Sequence, residues 1–172
     1  VVITGGSGVI CSELCRAIDE CGAKLAILDL CEEKAIEFAN TLSNAKAYRC
    51  NVLRKEDLKR VHDEIIKDFG KVDILINGAG GNNPKGTTDN EYAELEDDKE
   101  DLKTFFDLDE EGINFVFNLN FLGTLLPSQE FSKDMIGRKN CCILNISSMN
   151  AFTPLTKIPA YSGAKASVSN FT

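Results

Sequence analysis

The chain has 172 residues, with 19 lysines and arginines against 27 aspartates and glutamates, for a net charge of −8. That length supports one domain with a sizeable core, and the acidic balance disfavours nucleic acid and anionic membranes as partners. No apolar run approaches the ~18 residues of a membrane-spanning helix, and no secretory leader precedes the first strand, so the expected compartment is the cytoplasm. Seven cysteines with no regular spacing and a single histidine predict reduced thiols, mostly small core residues, and no metal site.

The predicted elements alternate. Val1–Thr4 reads as a strand, Val9–Glu20 as a helix, Lys24–Asp29 as a strand and Glu32–Leu42 as a helix. Ala45–Val52, Lys55–Phe69 and Val72–Asn77 follow as strand, helix and strand. A helix is expected over Glu110–Met135, a fifth strand over Cys141–Ile146 and another helix from Tyr161. Apolar strands alternating with amphipathic helices predict an α/β fold: a doubly wound, parallel sheet of Rossmann type in three α/β/α layers. Residues 1–172 are taken as a single domain with a polar insertion at about 81–104. The insertion opens with GGNNPKGTTDN and carries the acidic run EYAELEDDKED, read as solvated surface. So long a loop is usually a functional flap or disordered.

Thr4-Gly5-Gly6-Ser7-Gly8 leaves the first strand and opens the first helix. Glycines there let backbone amides approach a pyrophosphate at the helix N-terminus. Alone the motif is weak. Asp29, at the end of the second strand, strengthens it, because a carboxylate there accepts from an adenosine ribose diol and repels a 2′-phosphate. Leu30 follows it, and the next basic residue, Lys34, lies a helical turn further on. That favours NAD over NADP; the alternative is a turn or cap role for Asp29. Asn77-Gly78-Ala79-Gly80 ends the fourth strand, again with glycines that permit close approach of a ligand. Asn120 falls inside an expected helix, where asparagine has poor propensity. It is either a satisfied polar core residue or the holder of a water in a proton relay.

Ser148, Tyr161 and Lys165 form the chemical centre. Tyr161 and Lys165 are four apart at the start of a helix, so they share a face. Ser148 lies at the end of the apolar run CCILNIS, and a strand end meets the next helix at the carboxyl edge of such a sheet, where ligands bind. A free tyrosine has a pKa of about 10. An ammonium about 4 Å away contributes roughly 4 kcal/mol at an effective dielectric of about 20, or about three pKa units. The phenol then nears the range where acid–base catalysis works at neutral pH. A YxxxK pair on an ordinary surface helix is the plain alternative.

In order and spacing, TGGSG at 4–8, Asp29, NGAG at 77–80, Asn120 with Gly123, Ser148 and YSGAK at 161–165 resemble the short-chain dehydrogenase/reductase family. The resemblance implies a catalytic tetrad. Tyr161 is the acid/base, Ser148 positions the reacting oxygen, Lys165 assists the tyrosine and binds the nicotinamide ribose, and Asn120 holds a relay water. It also implies cofactor contacts from Gly5, Gly6, Ser7, Gly8, Val9, Ile10, Asp29, Leu30, Asn51, Val52, Asn77, Gly78, Ala79 and Gly80, besides Tyr161 and Lys165. Three departures stand out. The family's second and third loop glycines fall on Val9 and Cys11, leaving Gly8 to take over part of their role. Its aspartate after the third strand is Asn51, still able to bond adenine, and its NNAG is NGAG. Cys11, at a helix N-terminus, is expected to be an oxidation-sensitive thiol.

TGGSGVIC, NGAGGNNPKGTT, KTFFDLDEEG, NLNFLGTLLPSQ and SSMNAFTPLTKIPAYS are similar to the D-mannonate oxidoreductase branch of that family. This narrower resemblance implies reversible reduction of D-fructuronate to D-mannonate with NADH. Asn82, Asn83, Ser148, Asn150 and Tyr161 are then candidate substrate contacts, and Lys157 a candidate partner for the carboxylate. Another sugar acid or a polyol, as in a gluconate 5-dehydrogenase, keeps the chemistry and changes the substrate. A dinucleotide sensor would need no Ser148–Tyr161–Lys165 set. The resemblance further implies a dimer or tetramer, and a longer chain with two more strands and a substrate loop, so the fold here is expected to be truncated before the last strands.

Overall fold

A computed structural model describes residues 1–92 and 102–172; most of the acidic run read as solvated surface therefore lies outside the described residues. The chain divides into two compact units: Val1–Ala79 with Gly123–Ile146, and Gly80–Leu122 with Ser147–Thr172.

The first unit holds a five-stranded parallel sheet in the order β3-β2-β1-β4-β5. Its strands are β1 (Val2–Thr4), β2 (Leu25–Asp29), β3 (Ala45–Arg49), β4 (Ile74–Asn77) and β5 (Cys142–Asn145). Helices α1 (Val9–Glu20), α2 (Glu32–Ala39) and α3 (Lys55–Phe69) connect them, and a later helix, α5 (Gly123–Phe131), packs beside α3. Successive strand residues face opposite sides of a sheet, and the two cores follow that rule. Ile3, Leu25 and Ile27 pack with Cys11 and Cys15 of α1 and Ala35 and Ala39 of α2. Val2, Ala26 and Leu28 pack with Leu58, Val61 and Ile65 of α3 and Phe131 of α5. Helices on both faces of a parallel sheet make the three-layer, doubly wound Rossmann-type architecture. The chain adds strands outward from β1 through β2 and β3, then returns to place β4 on the other side of β1. The carboxyl ends of β1 and β4 are thus the switch point where such sheets take ligands.

On the α3 side, His62 is held between two carboxylates, with Nδ1 3.0 Å from Glu130 Oε1 and Nε2 3.0 Å from Asp134 Oδ2. Asp134 also accepts from the Val72 N–H, and Glu130 from the Lys133 ammonium. Burial alone pulls the imidazole pKa down, but the bonds to Asp134 and Glu130 and their charges more than reverse it, so His62 titrates above its ordinary value.

The second unit contains α4 (Glu110–Phe117), a π turn at Asn118–Leu122 and α6 (Pro159–Phe171), with short 3-10 turns at Pro84–Gly86, Phe105–Asp107 and Met149–Ala151. Its core is Val116, Ala160 and Ala164, with Ile113 and Tyr161 packed against it. Asp109 caps α4, its Oδ1 accepting from the N–H groups of Glu111 and Gly112. Gly112 is required by a close approach: a Cβ there would lie 2.6 Å from Lys85 Cβ and 2.9 Å from the Gly86 nitrogen.

Most expected elements form with trimmed ends. The helix expected over Glu110–Met135 does not form as one piece; it is α4, the π turn, α5 and a 3-10 turn at Ser132–Asp134. Two features break it. Pro127 inside α5 has no N–H to give the carbonyl four residues back. Asn120 Nδ2 donates to Val116 O at 2.8 Å, the carbonyl its own N–H would take in a regular α-helix. The cysteines also depart from expectation: all seven are free, but only Cys11, Cys15 and Cys50 are buried. Burial pushes the Cys15 and Cys50 thiols up to about 12.

Candidate active site

In the Rossmann unit the Gly-rich turn is built from backbone. The Gly8 N–H donates to Gly5 O at 3.0 Å, and Gly8 is the residue from which α1 starts. Gly5 has φ +62, and a Cβ on it would lie 2.9 Å from Ala79 Cα. Both the left-handed backbone and the close approach of the second loop therefore demand glycine. The first turn of α1 carries no acidic residue, which leaves its free N–H groups and dipole favourable to an anion. Thr4 joins the two loops: its Oγ1 accepts from the Gly78 and Ala79 N–H groups at 3.1 and 3.2 Å.

The sulfur of Cys11 explains how this turn tolerates a side chain where the family has glycine. A Cβ built on Gly78 would sit 2.1 Å from Cys11 Sγ. The thiol fills the space left by the missing side chain in NGAG, so the two departures at 11 and 78 are one packing solution. Cys11 is 3% exposed, which removes the access that an oxidation-sensitive thiol needs. Val9 and Ile10 point outward and are exposed.

Asp29 does more than wait for a ribose. Its Oδ2 accepts from the Ser7 hydroxyl at 2.6 Å and the Ser7 N–H at 3.2 Å, and its Oδ1 from the Cys31 N–H at 3.1 Å. These three bonds give Asp29 a turn role, and since a carboxylate accepts about four hydrogen bonds, acceptor capacity remains. Leu30 beside it is exposed, and Val52 is buried. Asn51 turns its Oδ1 back onto the Leu53 N–H, leaving the amide NH2 as its donor.

Asn77 departs from the expectation of a cofactor contact. Its amide donates to Ser128 Oγ at 2.9 Å and Asn145 Oδ1 at 2.8 Å, and the residue is 1% exposed. The NH2 ties β4 to α5 and β5, while the buried Oδ1 has no hydrogen-bond partner among the described residues.

The second unit contains all four residues of the expected tetrad. Tyr161 and Lys165 lie on one face of α6, with Lys165 Nζ 5.8 Å from the centre of the Tyr161 ring and the lysine 5% exposed. Ser148 Oγ accepts from the Asn150 N–H at 3.2 Å, which leaves its O–H to donate to another oxygen. The turn that follows Ser148 packs on α6. Asn120, fully buried in the π turn, accepts from the Gly81 N–H at 3.2 Å and donates to Gly81 O at 2.7 Å. A Cβ on Gly80 would lie 2.8 Å from Asn120 Oδ1 and 3.3 Å from Lys165 Nζ, so both polar groups converge on this glycine. A π turn that re-aims one polar side chain is a recurrent device at functional sites.

Of the expected substrate residues, Asn82 and Asn83 line one cavity together with Lys103. Asn150 is buried in the turn after Ser148. Lys157, the candidate cation, does not line that cavity. Thr4 and Lys103 head two of the stretches quoted from the sequence, TGGSG and KTFFDLDEEG, but neither side chain was given a role there.

A parallel sheet reversing at β1, a glycine turn into α1, and a Ser–Tyr–Lys–Asn set on the following helices define a dinucleotide-type α/β protein. The model for the short chain dehydrogenase family matches residues 1–172, and the chain belongs to that family. An uncharacterised oxidoreductase of Haemophilus influenzae is 58% identical over 176 residues, covering 100% of this chain and 61% of the relative. UxuB of Bacillus subtilis, likewise an uncharacterised oxidoreductase, is 44% identical over 175 residues, covering 99% of this chain and 62% of its own. A crystal structure of a Haemophilus influenzae protein, provisionally assigned as a D-mannonate oxidoreductase and holding NAD, is similar with a TM-score of 0.96 at 58% identity, over 99% of this chain and 62% of that one. The chain thus spans 61–62% of the length of these relatives.

Proposed function

We propose that the chain carries the nucleotide-binding and catalytic residues of an NAD-dependent oxidoreductase acting on a sugar acid, with D-fructuronate and D-mannonate as the reacting pair. The observation that carries this reading is the buried Lys165 on the face of Tyr161, converging with Asn120 on Gly80. The similar Haemophilus influenzae structure, with its NAD and its provisional assignment, supports the choice of cofactor and substrate.

The residues fit a dinucleotide. Gly5 lets the loops after β1 and β4 approach closely, where a Cβ would meet Ala79 Cα, and the first turn of α1 carries no acidic residue of its own. Asp29 retains acceptor capacity for the adenosine ribose diol, and its charge opposes the extra phosphate of NADP. When bound, the nicotinamide supplies the hydride chemistry. In the direction of reduction, the Ser148 O–H donates to the carbonyl oxygen, and Tyr161 delivers the proton that converts it to an alcohol. In oxidation the same phenol oxygen takes that proton back. Lys165 holds its ammonium beside the phenol, and Asn120 Oδ1 accepts from the backbone that borders it. Cytoplasmic action on a small substrate, by a homo-oligomer, completes the proposal.

The test is loss of NADH absorbance when the full-length protein meets D-fructuronate, beside 5-ketogluconate and NADPH controls. Turnover with fructuronate and NADH is expected; turnover with another acid alone would move the substrate. Tyr161→Phe is expected to keep NADH binding and lose at least about a hundredfold in kcat. Normal turnover by that variant would refute the mechanism.

A further inference from the structure

A sugar acid needs a cation in an otherwise acidic protein, and the second unit offers one at an open surface depression. Asn82, Asn83, Pro84, Thr87, Asp89 and Lys103 line a space of about 370 Å³, at the small end of the roughly 300–1,000 Å³ typical of ligand pockets. We propose that this cavity receives the carboxylate end of the substrate, and that Lys103, rather than Lys157, is the cation that selects an acid over a neutral sugar. The inference rests on the sugar-acid reading above.

The position fits the chemistry. Gly80 borders Lys165 Nζ and Asn120 Oδ1, and Gly81 is bonded by Asn120 in both directions. Asn82, in the cavity wall, is the next residue, so two peptide units, about 7 Å at full extension, separate it from Gly80. In fructuronate four carbon–carbon bonds of about 1.5 Å, spanning about 5 Å, separate the ketone carbon from the carboxylate. The sugar's reach of about 5 Å falls within that upper limit of about 7 Å.

The wall is organised before a ligand arrives. Asn82 Nδ2 donates to Thr87 Oγ1 at 2.9 Å, and Thr87 in turn donates to Asn83 O at 3.0 Å. Asn83 Oδ1 accepts from the Lys85 N–H at 2.9 Å. These bonds fix both amides and leave Asn82 Oδ1 and Asn83 Nδ2 for sugar hydroxyls. The Lys103 backbone N–H is anchored on Asp89 Oδ2 at 2.7 Å, and its ammonium donates to Pro84 O at 2.7 Å. An ammonium has three donors and Pro84 O is a neutral partner, so charge and donors remain for a carboxylate. Lys85, by contrast, spends its charge on Glu111 at 3.2 Å and Asp109 at 3.8 Å. Asp89 sets direction: it repels the acid group and accepts hydroxyls, so the carboxylate goes to Lys103 Nζ.

The test compares D-fructuronate with D-fructose, which carries CH2OH in place of the carboxylate, in the full-length wild type and in Lys103→Met and Lys157→Met. A charge-assisted bond of this kind is worth roughly ten- to hundredfold in affinity. Lys103→Met is therefore expected to raise KM for fructuronate by about that factor, leave kcat within about threefold, and leave fructose kinetics unchanged. An unchanged fructuronate KM, or the same rise with fructose, overturns the proposal; a rise confined to Lys157→Met assigns the role to Lys157. Should the wild type reduce neither fructuronate nor 5-ketogluconate, the sugar-acid reading falls. Titration calorimetry with D-glucuronate then decides the cavity by itself: saturable binding abolished in Lys103→Met keeps it as a hexuronate site, and no difference between the two proteins sinks it.

Discussion

Gly80→Ala is the sharpest perturbation of the second unit, because it adds one methyl where two members of the proposed tetrad converge. The new Cβ would stand 2.8 Å from Asn120 Oδ1 and 3.3 Å from Lys165 Nζ. The first distance is shorter than any ordinary carbon–oxygen contact, so something must move by about half an ångström. Asn120 cannot swing away cheaply. It is fully buried and makes bonds to Gly81 N–H, Gly81 O and Val116 O, each worth about 1 kcal/mol net and more if left unpaired. Overpacking of this kind costs about 1–3 kcal/mol. If 1.4–2.8 kcal/mol of that reaches the transition state, kcat falls about ten- to hundredfold. The assay is kcat on the substrate the wild type reduces, with NADH affinity by fluorescence and Tm by circular dichroism. The expected result is that loss of kcat with a Tm lowered by only a few degrees and NADH affinity within about threefold. The cycle with Asn120→Ala separates the cause: once Asn120 is shortened, adding Gly80→Ala costs much less than it does alone. Full activity in Gly80→Ala, or strict additivity in the cycle, would refute the claim that Gly80 is small to make room for Asn120.

The remaining predictions concern the Rossmann unit. Gly78→Ala meets Cys11 Sγ at 2.1 Å and Thr4 O at 2.9 Å, so it is expected to cost about 1–3 kcal/mol in chemical denaturation; Cys11→Gly in the same chain recovers the sulfur's share and not the carbonyl's, and no recovery would refute the interlock. Asp29→Ala is expected to narrow the NADH over NADPH preference by about tenfold and also to raise KM for NADH, because Ser7 loses its acceptor; an unchanged ratio would remove Asp29 from cofactor choice. His62→Gln leaves Glu130 and Asp134 facing each other half-buried and is expected to cost about 3 kcal/mol near pH 6. The raised His62 pKa makes its contribution complete below the ordinary 6.5 and lost as pH climbs through the folded value. The carboxylates behave oppositely: burial alone would raise them, but the N–H, lysine and histidine partners hold them below 4.5 and 3.8, so their share is lost as pH falls through the folded values. The stability gap between wild type and His62→Gln, read from urea midpoints, should therefore be widest between about pH 4.5 and 6.5; a gap independent of pH would deny the charge on His62.

What the sequence made legible and what it hid divide along the range of the interactions. The bounds of α1 and α3 match their amphipathic repeats, because each helix is set by its own period and by residues within a turn of its ends. The pairing of Tyr161 with Lys165 on one helix face was legible for the same reason, whereas Ser148 heads the 3-10 turn Met149–Ala151, three residues beyond β5. The end of α2 was not: the chain after Ala39 is held by Asp19, which accepts from the Ser43 and Asn44 N–H groups from a distant helix. Asn120 looked anomalous in a helix, yet the π turn that resolves the anomaly depends on Gly81, which no local pattern connects to it. Asn77 sat where a cofactor contact was expected, and only the folded positions of Ser128 and Asn145 show that its amide is already committed.

Cys11 and Gly78 teach the most. Each alone read as a departure from the family pattern, one for adding a side chain and one for losing it. The structure places the added sulfur in the lost side chain's volume, so the pair preserves the total packing. Close-packed interiors conserve volume more strictly than identity. An unexplained gain of bulk at one loop and loss at the other, at the two strand ends that flank a switch point, is therefore a contact signal, and it is the kind of long-range information a single sequence does contain.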